Sequence, residues 1–311
     1  MTWDRVERLL GGDNLAKLSQ KTVGVIGLGS GGGFVAQSLA MSGVGRFVLI
    51  DDDTLDEANV MRHVADRRDV GRPKVEVVAD LIRSRNPRAE VRTVIGRIED
   101  HPVVFDGLDL LVVGVDGEQI KYEINEACLA RNLTAVYAGV YERGEGGDVV
   151  IVRPFDGPCY ACWAAELREG IQVTEQSGEL DYGMIGPDGT LEAEPGLWLH
   201  VVRVAAAQAD FALRELLADT DQYQPLPGNT VILANSGLEI IEGQITPPFS
   251  AVWAQIDRDP ECLVCGDRMR ARQTDEIEIS LDTLAGETGI EIDEADNAPA
   301  QSTQRQQRAG E

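Results

Sequence analysis

Apolar positions recur with helical spacing at the start of the chain. Val6, Leu9, Leu10, Leu15 and Leu18 predict one short amphipathic helix within residues 1–20. The short apolar run from Thr22 to Gly27 then predicts a strand that enters glycine-rich sequence, followed by a helix to about Ala40 and a strand from Arg46 to Asp51. Gly71-Arg72-Pro73-Lys74 opens another helix, because proline is tolerated in a first turn. Strands near 90–95, 108–114 and 133–138 alternate with a helix over 118–131. That β-α-β-α order predicts an α/β fold with a mostly parallel sheet and helices on both faces.

After residue 147 the pattern changes. Asp148 to Arg153 reads as a strand, and 164–192 as a long, polar, glycine-containing, mobile connection. A helix over about 196–217 follows, with further strands at 229–234, 238–245 and 251–256. The last stretch, 271–311, turns acidic and then Gln/Arg-rich, which predicts a disordered tail, although Ile277, Ile279 and Leu281 alternate well enough for one strand.

Charge narrows the possible partners. The 311 residues carry a formal net charge of −25, with 53 acidic side chains and only four lysines. A broad basic surface for nucleic acid or anionic membrane is excluded on that balance. High internal salt would explain the excess; an arginine-preferring genome with an acidic tail explains it better. No apolar run reaches the ~20 residues of a membrane span. The N-terminus lacks a signal-peptide pattern, so a cytoplasmic protein is expected.

The chemistry begins at Gly27-Leu28-Gly29-Ser30-Gly31-Gly32, a G-x-G-x-x-G run between a predicted strand and helix. Glycines let the backbone approach a phosphate, and the helix N-terminus supplies N–H donors. Asp51 ends the second strand, where an acid can hold ribose hydroxyls; Asp53 is either a second such group or part of a solvated loop. Taken alone, this suits NAD or FAD in a Rossmann-like, doubly wound fold. Asn59, Arg62 and Lys74 change that reading by concentrating phosphate-seeking groups just after the strand. Arg62 can clamp phosphate oxygens bidentately and Lys74 can act as a point charge, as a triphosphate requires and a hydride transfer does not. Asp116, closing the strand from Asp109 to Gly114, can hold Mg²⁺ or cap the next helix.

Four of the five cysteines form two C-x-x-C pairs, Cys159/Cys162 and Cys262/Cys265. Together they predict one closed, structural Zn²⁺ site that pins distant parts of the chain. A redox role for the first pair is disfavoured, since a second pair is there to partner it. Cys128 falls on a helix face with Ile124 and Leu129 and reads as a small buried residue.

With these stretches in place, the chain resembles the ThiF/MoeB/HesA family, the prokaryotic relatives of ubiquitin-activating enzymes, over roughly residues 3–267. The stretches that carry the likeness are GLGSGG, LIDDDTLDEANVMRH, GRPKVEVVADLIRSRNP, the Asp116 strand, GPCYAC and DPECLVCG. The resemblance implies ATP held by the glycine loop, Asp51, Arg62 and Lys74, with Asp116 assisting Mg²⁺ and catalysis. It implies a domain over 21–270 that adenylates the C-terminal carboxylate of a small ubiquitin-like or sulfur-carrier protein. It also implies a homodimer in which residues 1–20 form an arm and Arg5, of Trp3-Asp4-Arg5, reaches the phosphates of the other copy. The family spaces its cysteine pairs similarly. Adenylation of a small peptide or a modified nucleoside, or a non-catalytic scaffold, stand as alternatives. Two departures matter: Gly117 follows Asp116 where many relatives have Asn, and 163–192 contains no cysteine where many keep a reactive one. Activation without a thioester on this chain is therefore expected.

Overall fold

The computed structural model describes residues 3–168, 196–241 and 243–268. The chain divides into two units, Met1–Gly266 and Asp267–Glu311, and the first carries the sheets with the helices around them. Residues 169–192 of the predicted connection and the predicted tail, with Ile277, Ile279 and Leu281, lie outside the described residues.

The N-terminal helix is two helices, α1 (Asp4–Leu10) and α2 (Gly12–Leu18). Gly11 separates them at φ +83°, a backbone state that side-chain-bearing residues resist. The break shifts the apolar register. Leu10 and Leu18 are buried as expected, but Leu9 is 74% exposed. Strand β1 (Thr22–Ile26) leads to α3 (Ser30–Met41), then β2 (Arg46–Asp51), α4 (Lys74–Arg85) and β3 (Glu90–Ile95). Next come β4 (Leu110–Val113), α5 (Glu118–Ala130), β5 (Ala135–Val140) and β6 (Gly146–Val152). The remaining elements are α6 (Tyr160–Arg168), α7 (Trp198–Leu216), β7 (Thr230–Ala234), β8 (Leu238–Ile241), β9 (Gln244–Thr246) and β10 (Ala251–Ala254).

Two boundaries differ from the sequence expectation. Residues 164–168 continue a helix rather than start a loop, because Trp163 and Ala164 are buried against the sheet. The single strand expected at 238–245 turns back at Gly243, φ +74°, into a β8–β9 hairpin outside the main sheet.

Eight strands form that sheet in the order β10-β7-β6-β5-β4-β1-β2-β3. Strands β5, β4, β1, β2 and β3 run parallel, while β6, β7 and β10 pair antiparallel. Burial follows position. Every residue of central β4 is buried, whereas edge strand β3 is exposed except at half-buried Val91 and Val94. Alternation sorts the strands' side chains onto two faces. Val23, Val25, Phe47 and Leu49 pack with α3, α4 and α7; Ile26, Val48, Ile50 and Val113 pack with α5 and α6. Order reverses between β1 and β4, since β1 leads outward to β2 and β3 and the chain then returns to β4. Ligands of open α/β sheets bind in the crevice at such a point, beyond the carboxyl ends of the strands.

Candidate functional site

The loop after β1 is shaped by contacts that only glycines allow. Gly27 sits at φ +79°, with its Cβ direction 2.8 Å from the Gly114 carbonyl oxygen. A Cβ on Gly32 would lie 1.9 Å from the Gly27 carbonyl oxygen, so the first turn of α3 rests directly on the loop. Gly29, the N-cap of α3, has nothing within 4 Å of its Cβ direction. The N–H groups of Ser30, Gly31 and Gly32 lead the helix and have no carbonyl in the preceding turn, which makes an anion site.

Asp51 holds this loop in place. Its carboxylate accepts hydrogen bonds from the Leu28 N–H (2.5 Å) and the Asp53 N–H (2.8 Å). Burial nevertheless raises its pKa from the ordinary aspartate value, outweighing those two bonds and the nearby Lys74 charge. Each carboxylate oxygen keeps a further lone pair, enough to accept from sugar hydroxyls.

Residues 53–74 make an excursion that folds back on itself. The Lys74 N–H donates to the Asp53 carbonyl (3.0 Å) and the Leu55 N–H to the Arg72 carbonyl (2.9 Å), around a turn at Gly71 with φ +88°. This brings Lys74 beside the end of β2, where its buried ammonium meets Asp53 at 2.5 Å. Asp53 is thus the charge partner of Lys74 in this state. Within the excursion Arg62 ends a short 3₁₀ turn, Val60–Arg62, whose Arg62 N–H donates to the Asn59 carbonyl (2.9 Å). Both residues are half-buried. Asp116 is exposed just beyond β4, and the N-cap of α5 is Gly117, so the capping role considered for Asp116 is not found. Gly27, Gly29, Ser30, Gly32, Asp51, Lys74 and Asp116 therefore gather at the carboxyl edge of the sheet, and Arg62 joins them through its neighbour His63. Arg5 does not. The adjoining Trp3, Asp4 and Glu7 line a cleft with Arg46 and Glu90, which begin β2 and β3 at the opposite edge.

Two residues at this site were missed in the sequence. His63 is buried, with Nε2 2.7 Å from the Leu28 carbonyl oxygen and Nδ1 accepting the Ala65 N–H at 3.0 Å. Its position directly after Arg62 was the available signal. Gln208, buried in α7, donates to the carbonyls of Val113 (2.8 Å) and Val136 (2.9 Å), bracing the end of β4 against the first part of β5. A lone glutamine amid the alanines of that helix could have indicated it.

The four paired cysteines converge. Sulfur separations are 3.7 Å for Cys159–Cys162, 3.8 Å for Cys159–Cys262 and 3.4 Å for Cys162–Cys265. All four lie within 4.8 Å of one another. Tetrahedral Zn²⁺ with Zn–S bonds of about 2.3 Å sets sulfurs about 3.8 Å apart, so the cluster fits that ion. The thiols are unequal. Hydrogen bonds from Cys159 and Cys265 pull Cys162 well below the usual thiol value, while contacts with Cys159 and Cys162 push Cys265 up. A dication is the partner that would let all four be thiolates. Tyr160, between the first pair, ties the cluster to α5: its hydroxyl donates to Glu118 (3.0 Å) and its N–H to Asn125 (2.9 Å). None of the described helices is long and apolar enough to cross a membrane.

The model of the ThiF family matches residues 4–267. A SAMP-activating enzyme E1 of Haloferax volcanii is 29% identical over 261 residues, 83% of this chain and 85% of that one. A tRNA threonylcarbamoyladenosine dehydratase of Bacillus subtilis is 36% identical over 138 residues, 43% of this chain and 54% of that one. Among solved structures, E. coli MccB with MccA aligns with a TM-score of 0.65 and 21% identity, covering 86% of this chain and 75% of that one, a likeness of fold.

Proposed function

Because the chain belongs to the ThiF family, we propose that it uses ATP to adenylate the C-terminal carboxylate of a small ubiquitin-like or sulfur-carrier protein. One observation carries this reading: a glycine loop with an open helix N-terminus, a strand-end carboxylate, Lys74 and Asp116 meet at one crevice of the sheet. The substrate class rests on the SAMP-activating relative, whose match spans most of both chains. The dehydratase points to a modified nucleoside, but its match covers 43% of this chain. A net charge of −25 also opposes docking of a polyanionic tRNA.

In this reading the N–H groups from Ser30 to Gly32, with Arg62 and Lys74, hold the triphosphate, and Asp51 holds the ribose. Lys74 exchanges Asp53 for phosphate oxygens. The partner's terminal carboxylate oxygen attacks the α-phosphorus, the bond to the β-phosphate oxygen breaks, and pyrophosphate leaves with its charge met by Arg62 and Lys74. Mg²⁺ held by Asp116 would neutralise the same phosphates. No side chain needs to exchange a proton or form a bond; positioning and charge do the work. In a homodimer, Arg5 of a second copy would add to the clamp. Pyrophosphate–ATP exchange against a panel of ubiquitin-like proteins with free C-termini is the test. No exchange with any of them, alongside exchange with a short peptide, would reassign the substrate.

Two variants probe particular residues. Cys128 is 1% exposed, and burial pushes its thiol up to about 12, so it is almost wholly protonated at neutral pH. Cys128→Ala should leave exchange unchanged, and non-reducing electrophoresis of the full reaction should reveal no thiol-sensitive adduct. An adduct that vanishes in this variant would overturn the cysteine-free reading. Gly29→Ala meets nothing in the fold, so stability should fall by no more than about 1 kcal/mol, from a poorer N-cap. Its methyl would project where phosphate must approach. ATP affinity, read by calorimetry, should weaken at least about tenfold, ~1.4 kcal/mol.

A further inference from the structure

His63 has no part in the phosphate clamp, yet its ring is fully engaged. It is 8% exposed and is one of only three histidines in the chain. Nε2 lies 2.7 Å from the Leu28 carbonyl oxygen, which can only accept, so Nε2 carries the proton. Nδ1 lies 3.0 Å from the Ala65 amide, which can only donate, so Nδ1 carries none. Two backbone partners of opposite character thus hold the neutral Nε2–H tautomer.

The partner on the glycine loop gives this ring a consequence. Leu28 lies between Gly27 and Gly29, and its own N–H is held by Asp51. The two peptide units flanking Leu28 are therefore clamped, one by Asp51 and the other by His63. No peptide bond among the described residues is cis, and in a trans peptide the carbonyl and the next N–H point in opposite directions. Drawing the Leu28 carbonyl toward His63 turns the Gly29 N–H away from it, at the residue where nothing lies within 4 Å of the Cβ direction.

We propose that His63 is a positioning residue of the nucleotide site: neutral and anchored by the Ala65 N–H, it aims the Gly29 N–H at the phosphates, and protonated on Nδ1 it loses that anchor, so the ring no longer holds the loop in register and nucleotide binding weakens. This rests on the proposed binding of ATP at the glycine loop. A proton on Nδ1 would face the Ala65 N–H, donor against donor, and break the turn that follows Arg62. The charged groups around the ring are Asp51 at the end of β2, Asp69 in the 67–69 turn and Lys74 at the start of α4. Burial holds the ring's pKa below the usual histidine value. The Leu28 contact opposes it, Lys74 adds to it, and the two aspartates oppose it. The sign follows from linkage. The clamp is complete above the ordinary histidine value of about 6.5, and is lost as pH falls from there through the lowered value.

The test is the ATP–Mg²⁺ dissociation constant between pH 5.5 and 8 for wild type, His63→Gln and His63→Ala, with melting temperature as a control. Glutamine can donate to the Leu28 carbonyl through its amide nitrogen and accept from Ala65 through its oxygen, but it does not titrate. At pH 7.5 His63→Gln should bind within about threefold of wild type, and His63→Ala about tenfold more weakly, one lost hydrogen bond in a buried site. Between pH 7.5 and 5.5 wild type should lose more affinity than His63→Gln, by less than about tenfold, because the lowered value leaves the ring only partly protonated at pH 5.5. Protonation of ATP itself is common to all three proteins and cancels. Parallel pH profiles for wild type and His63→Gln would overturn the proposal, even if His63→Ala does not fold. A wild type that binds no ATP at any pH is a different failure, and would remove the nucleotide reading and this inference together.

Discussion

Asp116→Ala should lower the turnover of pyrophosphate exchange by about 10²-fold or more, with a much smaller change in the melting temperature. The carboxylate stands exposed at the end of β4, and Gly117, not Asp116, caps α5. Its removal therefore leaves no cap unfilled and no buried partner orphaned among the described residues, and the fold has little reason to respond. What is lost is the carboxylate that would hold Mg²⁺ against the phosphates, where a preorganised positive charge is worth about 3–4 kcal/mol of transition-state stabilisation. Arg62→Ala should act in the same direction, by removing charge from the leaving pyrophosphate. The two are distinguishable, because in the proposed reaction Arg62 would meet phosphate in the ground state as well, and its loss should raise the KM for ATP too. Steady-state exchange with saturating partner protein separates the effects. Turnover within threefold of wild type for Asp116→Ala would remove it from the mechanism.

Loss of the metal should cost the fold rather than the chemistry. The cluster joins Cys159 and Cys162 to Cys262 and Cys265, with Cys159 and Cys262 separated by 103 positions in sequence. A cross-link across so long a stretch removes much of the freedom of the unfolded chain. The described cysteines sit on a small apolar patch with Leu129, Phe155 and Val264, too little surface to hold the segment by itself. Protein purified without added metal should carry about one Zn²⁺ per chain. Cys262→Ser, or a strong chelator, should lower stability by ~4 kcal/mol, a fall of roughly 10 °C in melting temperature. Exchange activity measured well below that temperature should fall far less than it does for Asp116→Ala. Well-folded wild-type protein without zinc, or with a disulfide among these cysteines, would overturn the assignment.

Periodicity and glycine spacing made most of the main sheet legible without coordinates. The strand ending at Asp51, the helix opening at Lys74 and the buried face of Cys128 all follow from local rules about apolar spacing and helix starts. The same rules failed where a single glycine outweighed the apolar pattern. Gly11 split one expected helix and Gly243 turned one expected strand into a hairpin, because positive φ costs glycine little and its neighbours much. Tertiary structure alone decided what each glycine of the loop is for. Gly32 is required by the carbonyl of Gly27 lying across its Cβ direction, whereas Gly29 faces open space. Periodicity cannot tell these two apart, since both are glycines of one motif. Pairing over distance was equally hidden. Lys74 meets Asp53 only because 21 positions fold back on themselves, and Gln208 reaches β4 and β5 from a helix far along the chain. The sequence by itself determined which residue types were available, and where strands and helices could begin. Which backbone groups they would meet depended on how those elements packed, and local periodicity carries no record of that.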